Sequence, residues 1–253
     1  MEKAAKLARI GNRILSLIAA VLILLMLLYG GYSLWDNAMV YRGGFVSDEL
    51  LAAKPMVDEN ANPSFKKLLA INEDVCAWIT IDDTHIDYPV LQGDDDMEYL
   101  NKNVYGEYET AGSIFLSSLN RPDFSDNYNL TYGHHMSGGS MYGDVIEFTD
   151  KSFFDKHTSG KLLLPDKVYN IELFACVITD GYDNMVFDPA AQSYNMVSFV
   201  DYIRAMAVQY RDIGVTANDK IIGLSTCSFA TTNERTILYG RLKIENKPYF
   251  KER

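Results

Sequence analysis

Cysteine is scarce in this 253-residue chain, with only Cys76, Cys176 and Cys227. Three is an odd number, so a fully paired disulfide framework is excluded and at least one thiol is free or intermolecular. Basic charge is also short: 23 Lys and Arg stand against 34 Asp and Glu, for a formal net charge of −11. No basic field is available to displace phosphate counterions, which argues against nucleic acid as a partner. Metal-ligand patterns are missing as well. The run Asp94-Asp95-Asp96 lacks the alternating ligands and glycine of an EF-hand loop and reads as a solvated turn, so neither a metal nor any other cofactor is expected. Internal repeats and low-complexity tracts are absent. What remains is an ordinary globular composition, 48% hydrophobic and 23% charged. That excludes wholesale disorder and suits one or two domains.

One long uncharged run stands out. From Ile14 to Trp35 the chain reads ILSLIAAVLILLMLLYGGYSLW, enough apolar helix to cross a bilayer core of about 30 Å. A cleaved signal peptide would have a shorter apolar region followed by a small-x-small site. The best candidate here, Asp36-Asn37-Ala38, puts an acid where a small residue is wanted. The run therefore reads as an uncleaved anchor. Lys3, Lys6, Arg9 and Arg13 flank it on the N-terminal side, so residues 1–13 are expected in the cytoplasm and the body outside the cell membrane, which the chain crosses once. Residues 36–61 read as a linker and 62–253 as the exported domain.

Within that domain, Asn62-Pro63 reads as a helix start, with Phe65, Leu68 and Leu69 on one apolar face. Short strand-like runs follow: 76–81, 86–91, 113–116, 129–132, 161–164, 169–179, 220–225 and 236–244. Their spacing predicts a barrel or sandwich. One helix interrupts them, where Phe199, Ile203, Met206, Ala207 and Tyr210 recur at helical spacing.

Four histidines are candidates for proton transfer. His85 and His157 lie in polar contexts and read as surface residues, whereas His134 and His135 sit between a strand-like run and the Gly/Ser-rich MSGGSMYG. Cys76 and Cys176 lie in apolar runs and read as inert buried thiols. Cys227 differs: it ends one predicted strand, and Arg235 opens the next. If those strands are neighbours, thiol and guanidinium share one mouth of the sheet. A thiol, an imidazole and a guanidinium suit acyl transfer from an amide: nucleophile, proton carrier, and cation for the carbonyl oxygen or the bound peptide. Ser225 and Thr226, just before the thiol, are candidate substrate-binding residues.

These residues sit in segments that resemble the sortases, cysteine transpeptidases of Gram-positive surfaces. The resemblance is carried by TYGHHM ending at Met136, by LSTC at Leu224–Cys227, and by TILYGRL after Arg235. NEDVCAWITIDDTHIDYPVLQGDDDMEYL and GSIFLSSLN are similar to class B members. It spans roughly residues 62–244 and implies a mainly β fold: a closed barrel with an N-terminal helical piece and one long helix between late strands. It implies a catalytic trio of Cys227 as nucleophile, His134 as general acid/base and Arg235 at the oxyanion or the peptide, with His135 a bystander. The implied reaction cleaves an NPxTG-like sorting motif of surface proteins between Thr and Gly and transfers the acyl group to an amine of the cell-wall peptide. Alternatives are a pilin lysine as acceptor, or a non-catalytic wall-facing binding domain. In one respect the chain departs from the pattern, with Gly223 where Thr usually precedes Leu224.

Overall fold

The computed structural model describes residues 2–55, 63–227 and 233–245. The chain divides into two compact units, 1–42 and 43–253. The first is helix α1, Glu2–Gly43, which runs through the whole apolar segment. Its side chains are exposed nearly all round, and it is long and apolar enough to cross a membrane.

The second unit begins with two short helices, α2 (Asp48–Leu51) and α3 (Pro63–Ile71). Ser47 caps α2, its hydroxyl accepting from the Leu50 N–H at 3.2 Å. Phe65 and Leu68 of α3 are buried. Leu69, expected on the same face, is 40% exposed, while Ile71 packs inward in its place. The predicted cap, Asn62, lies outside the described residues.

Nine strands follow among the described residues: β1 Val75–Ile81, β2 Asp87–Leu91, β3 Ile114–Leu116, β4 Tyr128–Tyr132, β5 Ser159–Leu163, β6 Val168–Asp180, β7 Ala207–Tyr210, β8 Lys220–Cys227 and β9 Glu234–Ile244. Between them lie helices α4 Lys151–Lys156, α5 Asn184–Phe187, α6 Pro189–Gln192 and α7 Met196–Met206. Eight close into a barrel in the order β5-β1-β2-β3-β4-β8-β9-β6, sealed by the β5–β6 pairing. Most pairings are antiparallel; β2–β3 and β4–β8 are parallel. The closed, mainly β barrel that the sequence resemblance implies is therefore present. Strand β6 is long enough to serve two partners on one edge, β5 along its first half and β7 along its second.

Strand β7 corrects the sequence reading. Helix α7, Met196–Met206, buries Met196, Phe199, Val200 and Ile203 on one face. Ala207 and Tyr210 keep helical spacing with that face but belong to a strand. The free edge of β6 beyond β5 offers unpaired backbone groups, and ladder hydrogen bonds there outcompete another turn of helix. Met206, expected in the core, is 43% exposed.

Three apolar clusters explain the near-continuous hydrophobic strands, which are buried on both faces. Ile79, Val90, Leu116, Ile171 and Leu224 fill the barrel. Tyr128, Leu130, Phe174 and Tyr239 pack outward against Phe199 and Ile203 of α7. Trp78, Leu91 and Phe115 pack outward against Phe65 and Leu68.

His157 is a second correction. Read as a surface residue, it is 4% exposed. It caps helix α4, Lys151–Lys156, where its ring lies 3.9 Å from the Phe153 ring and bonds the Phe153 carbonyl through Nδ1 at 2.8 Å. The polar neighbours in sequence hide an aromatic partner four residues back.

Candidate active site

The site arises where β4, β8 and β9 end together. Strands β4 and β8 run parallel with Tyr132 paired to Ser225, so Gly133-His134 and Thr226-Cys227 emerge side by side. Strand β9 returns antiparallel to β8 and puts Arg235 opposite Cys227 in the Cα register. The three residue types singled out by sequence therefore share one end of three adjacent strands.

Gly133 lets the turn after β4 press on the barrel interior. Its N–H donates to the Ser225 carbonyl at 3.1 Å. A Cβ there would fall 2.4 Å from Ile114 Cδ1 and 2.8 Å from the Tyr142 ring, so a larger residue would displace His134. Side chains then diverge: His134 is half-buried in a cleft, and His135 is exposed and bridges by its backbone to Met141. The Gly/Ser-rich loop beyond is packed, with Met141 and Tyr142 buried.

The cleft measures about 340 Å³. His134, Arg235, Ser225 and Thr226 line it, together with Asp96, Leu100, Tyr132 and Phe187. His134 Nε2 bonds the Leu100 carbonyl at 2.8 Å. Arg235 is half-buried and its Nη1 donates to the Glu234 carbonyl at 3.2 Å. Ser225 and Thr226 are each 2% exposed, and their hydroxyls have no hydrogen-bond partner among the described residues. Tyr132 lies 5.2 Å from the Phe115 ring and 6.4 Å from the Phe187 ring, centroid to centroid, giving an aromatic wall. Burial, and then the neighbouring Asp96 carboxylate, raise the Tyr132 hydroxyl well above its ordinary value.

Asp96 is anchored by the body, contrary to the solvated turn expected for residues 94–96. It accepts the Ser118 N–H at 2.6 Å and the Ser117 hydroxyl at 3.1 Å. Asp95 caps the turn that follows, accepting from Met97 and Glu98 N–H groups at 2.8 and 2.9 Å. Sequence reasoning missed Asp96, Leu100 and Phe187 as cleft residues. Asp96 and Leu100 come from the segment after β2 and Phe187 from a short helix after β6, and no local pattern marks them.

Gly223, the departure from the usual pattern, occupies a tight place. A Cβ would sit 3.2 Å from both the Tyr128 hydroxyl and the Tyr239 ring. Two buried tyrosines use the space that a threonine would take. Of the other thiols, Cys176 is buried, and Cys76 is partly buried with its S–H directed to the Val90 carbonyl at 3.3 Å.

No protein-family profile matches the chain. Sortase B of Listeria monocytogenes is 31% identical over 196 residues, 78% of each chain. Sortase B of Staphylococcus aureus is 26% identical over 238 residues, covering 91% of this chain and 97% of that one. Among solved structures, a Streptococcus pyogenes class B sortase involved in pilus biogenesis shares 42% identity at a TM-score of 0.65. That match covers 71% of this chain and 97% of the other.

Proposed function

Because this chain belongs to the class B sortases and is a cysteine transpeptidase, we propose that it cleaves an NPxTG-like sorting motif between Thr and Gly, with Cys227, His134 and Arg235 as the catalytic trio. The observation that carries the reading is the pairing of Cys227 with Arg235 across β8–β9, beside the β4 end that leads into His134. The Cys227 thiolate attacks the Thr carbonyl and Arg235 offers a fixed cation to the developing oxyanion or to the peptide carbonyls. His134 protonates the departing Gly amine as the C–N bond breaks, leaving a thioester on Cys227. An incoming amine then attacks the thioester carbonyl, gives a proton to His134, and expels the thiolate. Ser225 and Thr226 contribute buried hydroxyls that are free to meet the backbone of the bound motif. α1 holds the body at the outer membrane face, with residues 1–13 inside the cell, where exported substrates and nascent wall are in reach.

The acceptor is an amine of the cell-wall peptide. A pilin lysine is the second reading, favoured by the 42% identity to the pilus-associated relative against 31% and 26% for the two curated relatives. Mass spectrometry of the enzyme mixed with an NPxTG-bearing peptide tests the first step: a mass gain on Cys227 equal to the fragment ending at Thr is expected. Label on another residue, or cleavage at another bond, would refute the assignment. Offering a wall-peptide amine and a pilin-type lysine peptide in competition then distinguishes the acceptors.

A further inference from the structure

The hydrogen bond between His134 and Leu100 fixes a proton as well as a place. A backbone carbonyl can only accept, so the Leu100 carbonyl at 2.8 Å requires a proton on His134 Nε2. That holds whether the ring is neutral or cationic. The only ring nitrogen left to gain and lose a proton is Nδ1. Leu100 is the last residue of a one-turn 3₁₀ helix, Glu98–Leu100, whose terminal carbonyls lack partners within the turn.

The backbone around that carbonyl is built with no spare room. Gly112 sits against it at φ +60°, and a Cβ there would lie 2.4 Å from the Leu100 oxygen and 2.8 Å from the Tyr99 oxygen. The segment is cross-tied on both sides: the Gly112 N–H donates to the Glu109 carbonyl at 2.9 Å and the Ser113 N–H to the Tyr99 carbonyl at 3.0 Å. The Ser113 hydroxyl donates to the Lys102 carbonyl at 2.8 Å. These contacts fix where the Leu100 carbonyl points, and only glycine permits them.

Resting on the catalytic role proposed for His134, we propose that the Leu100 carbonyl, held in place by Gly112, is a positioning group that locks His134 in the Nε2–H tautomer and so makes Nδ1 the proton-exchanging atom. In the first half-reaction the proton on Nδ1 goes to the departing amine nitrogen, and the ring keeps its Nε2 proton. In the second, the incoming amine gives its proton to the Nδ1 lone pair. Because Nε2–H stays bonded to Leu100 throughout, the ring need not turn between the two transfers. A fixed hydrogen bond of this kind orients a catalytic imidazole in the way an acidic partner does in other triads.

The test is ring-nitrogen NMR on the full chain in detergent micelles, labelled with ¹⁵N-histidine. Only four histidines are present, and comparison with His134→Gln assigns the relevant ring. In its neutral ring form, His134 should show a protonated Nε2 and a bare Nδ1; the opposite tautomer would overturn the proposal, whatever the enzyme's activity. Gly112→Ala is the second arm. With folding verified by near-ultraviolet circular dichroism, it should lower kcat about tenfold or more with little change in KM, consistent with ångström-scale misplacement of a reacting group. It should also mix the His134 tautomers. A folded Gly112→Ala with wild-type kcat and pure Nε2–H would refute the positioning role, and if that variant does not fold, the wild-type tautomer still decides. Full activity in His134→Ala would instead sink the catalytic assignment itself, so the two failures are distinct.

Discussion

Burial pushes the thiols of Cys76 and Cys176 up to about 12, so at neutral pH both stay protonated and are poor nucleophiles. Iodoacetamide at pH 7.5 should therefore modify Cys227 in the folded enzyme and spare the other two, as peptide mapping would read out. Cys227→Ala should abolish cleavage. Cys76→Ala and Cys176→Ala should keep it and lower stability by about 1–2 kcal/mol in denaturant titrations, the scale of a small buried deletion. The adjacent histidines divide in the same way. His134→Ala should lose at least ~100-fold in kcat, the usual scale for a positioned general acid, whereas the exposed His135→Ala should retain most activity. Arg235→Lys keeps the charge and loses the planar fork, so a severe loss in steady-state kinetics would indicate directed hydrogen bonds. That Cys227 and Arg235 reach one mouth of the sheet was legible locally, since one ends and the other opens a strand-like run. His157 was misread because its partners, Phe148 and Phe153, are packed by the fold around it.

Between elements, Asp183 is a tie point. Its carboxylate accepts the Thr179 hydroxyl of β6 at 2.7 Å, the Met185 N–H at 2.9 Å as the cap of helix α5 (Asn184–Phe187), and the Tyr202 hydroxyl of α7. Burial alone would raise its pKa, but the donors from Tyr202, Thr179 and Met185 outweigh it, and the net shift is downward. A carboxylate lowered in the folded state contributes stability above its unfolded value of about 3.9, and that contribution is lost as pH falls through the folded value. Asp183→Asn should thus be less stable than wild type by about 1–2 kcal/mol at pH 7, the range for hydrogen bonds to a charged group. Urea titrations at pH 7, 4 and 3 should show the gap narrowing below pH 4. A gap independent of pH would mean that the carboxylate charge is not what binds these elements. Since α5 carries Phe187 into the cleft wall, the variant should also raise KM.

At the scale of the whole molecule, charge and hydropathy are segregated. The N-terminal segment carries Lys3, Lys6, Arg9 and Arg13, and the body carries the acidic excess. The expected orientation follows from the cationic flank staying in the cytoplasm. Protease added to spheroplasts should degrade the body and leave an N-terminal fragment protected, detectable by mass spectrometry. A mature N-terminus near Asn37 or Ala38 would instead mean that the apolar run is removed on export. In the body, the segment after α1 is tied to the barrel: the Tyr88 hydroxyl donates to the Gly44 carbonyl at 2.9 Å and accepts the Met141 N–H at 2.8 Å. Leu50 and Ala53 are buried there too. A segment read as a tether from its glycines and acids contributes to the packed core.

Local sequence was enough for the long apolar N-terminal helix, for the eight barrel strands to within a few residues, and for the apolar face of α7. Each is written in the periodicity or length of a short window, where hydrophobic burial and backbone geometry act together. Tertiary structure alone decided which strands became neighbours. The parallel β4–β8 pairing joins residues some 90 positions apart, and strand edges look alike in hydrogen-bonding capacity, so no local signal selects the partner. Barrel closure through β5–β6 and the conversion of 207–210 into β7 are of the same kind, because both depend on an edge that exists only after folding. The cleft is the extreme case. Its wall combines Asp96, Leu100 and Phe187 with the strand ends, and the group bonded to His134 is a backbone carbonyl, which every residue possesses and no sequence can single out.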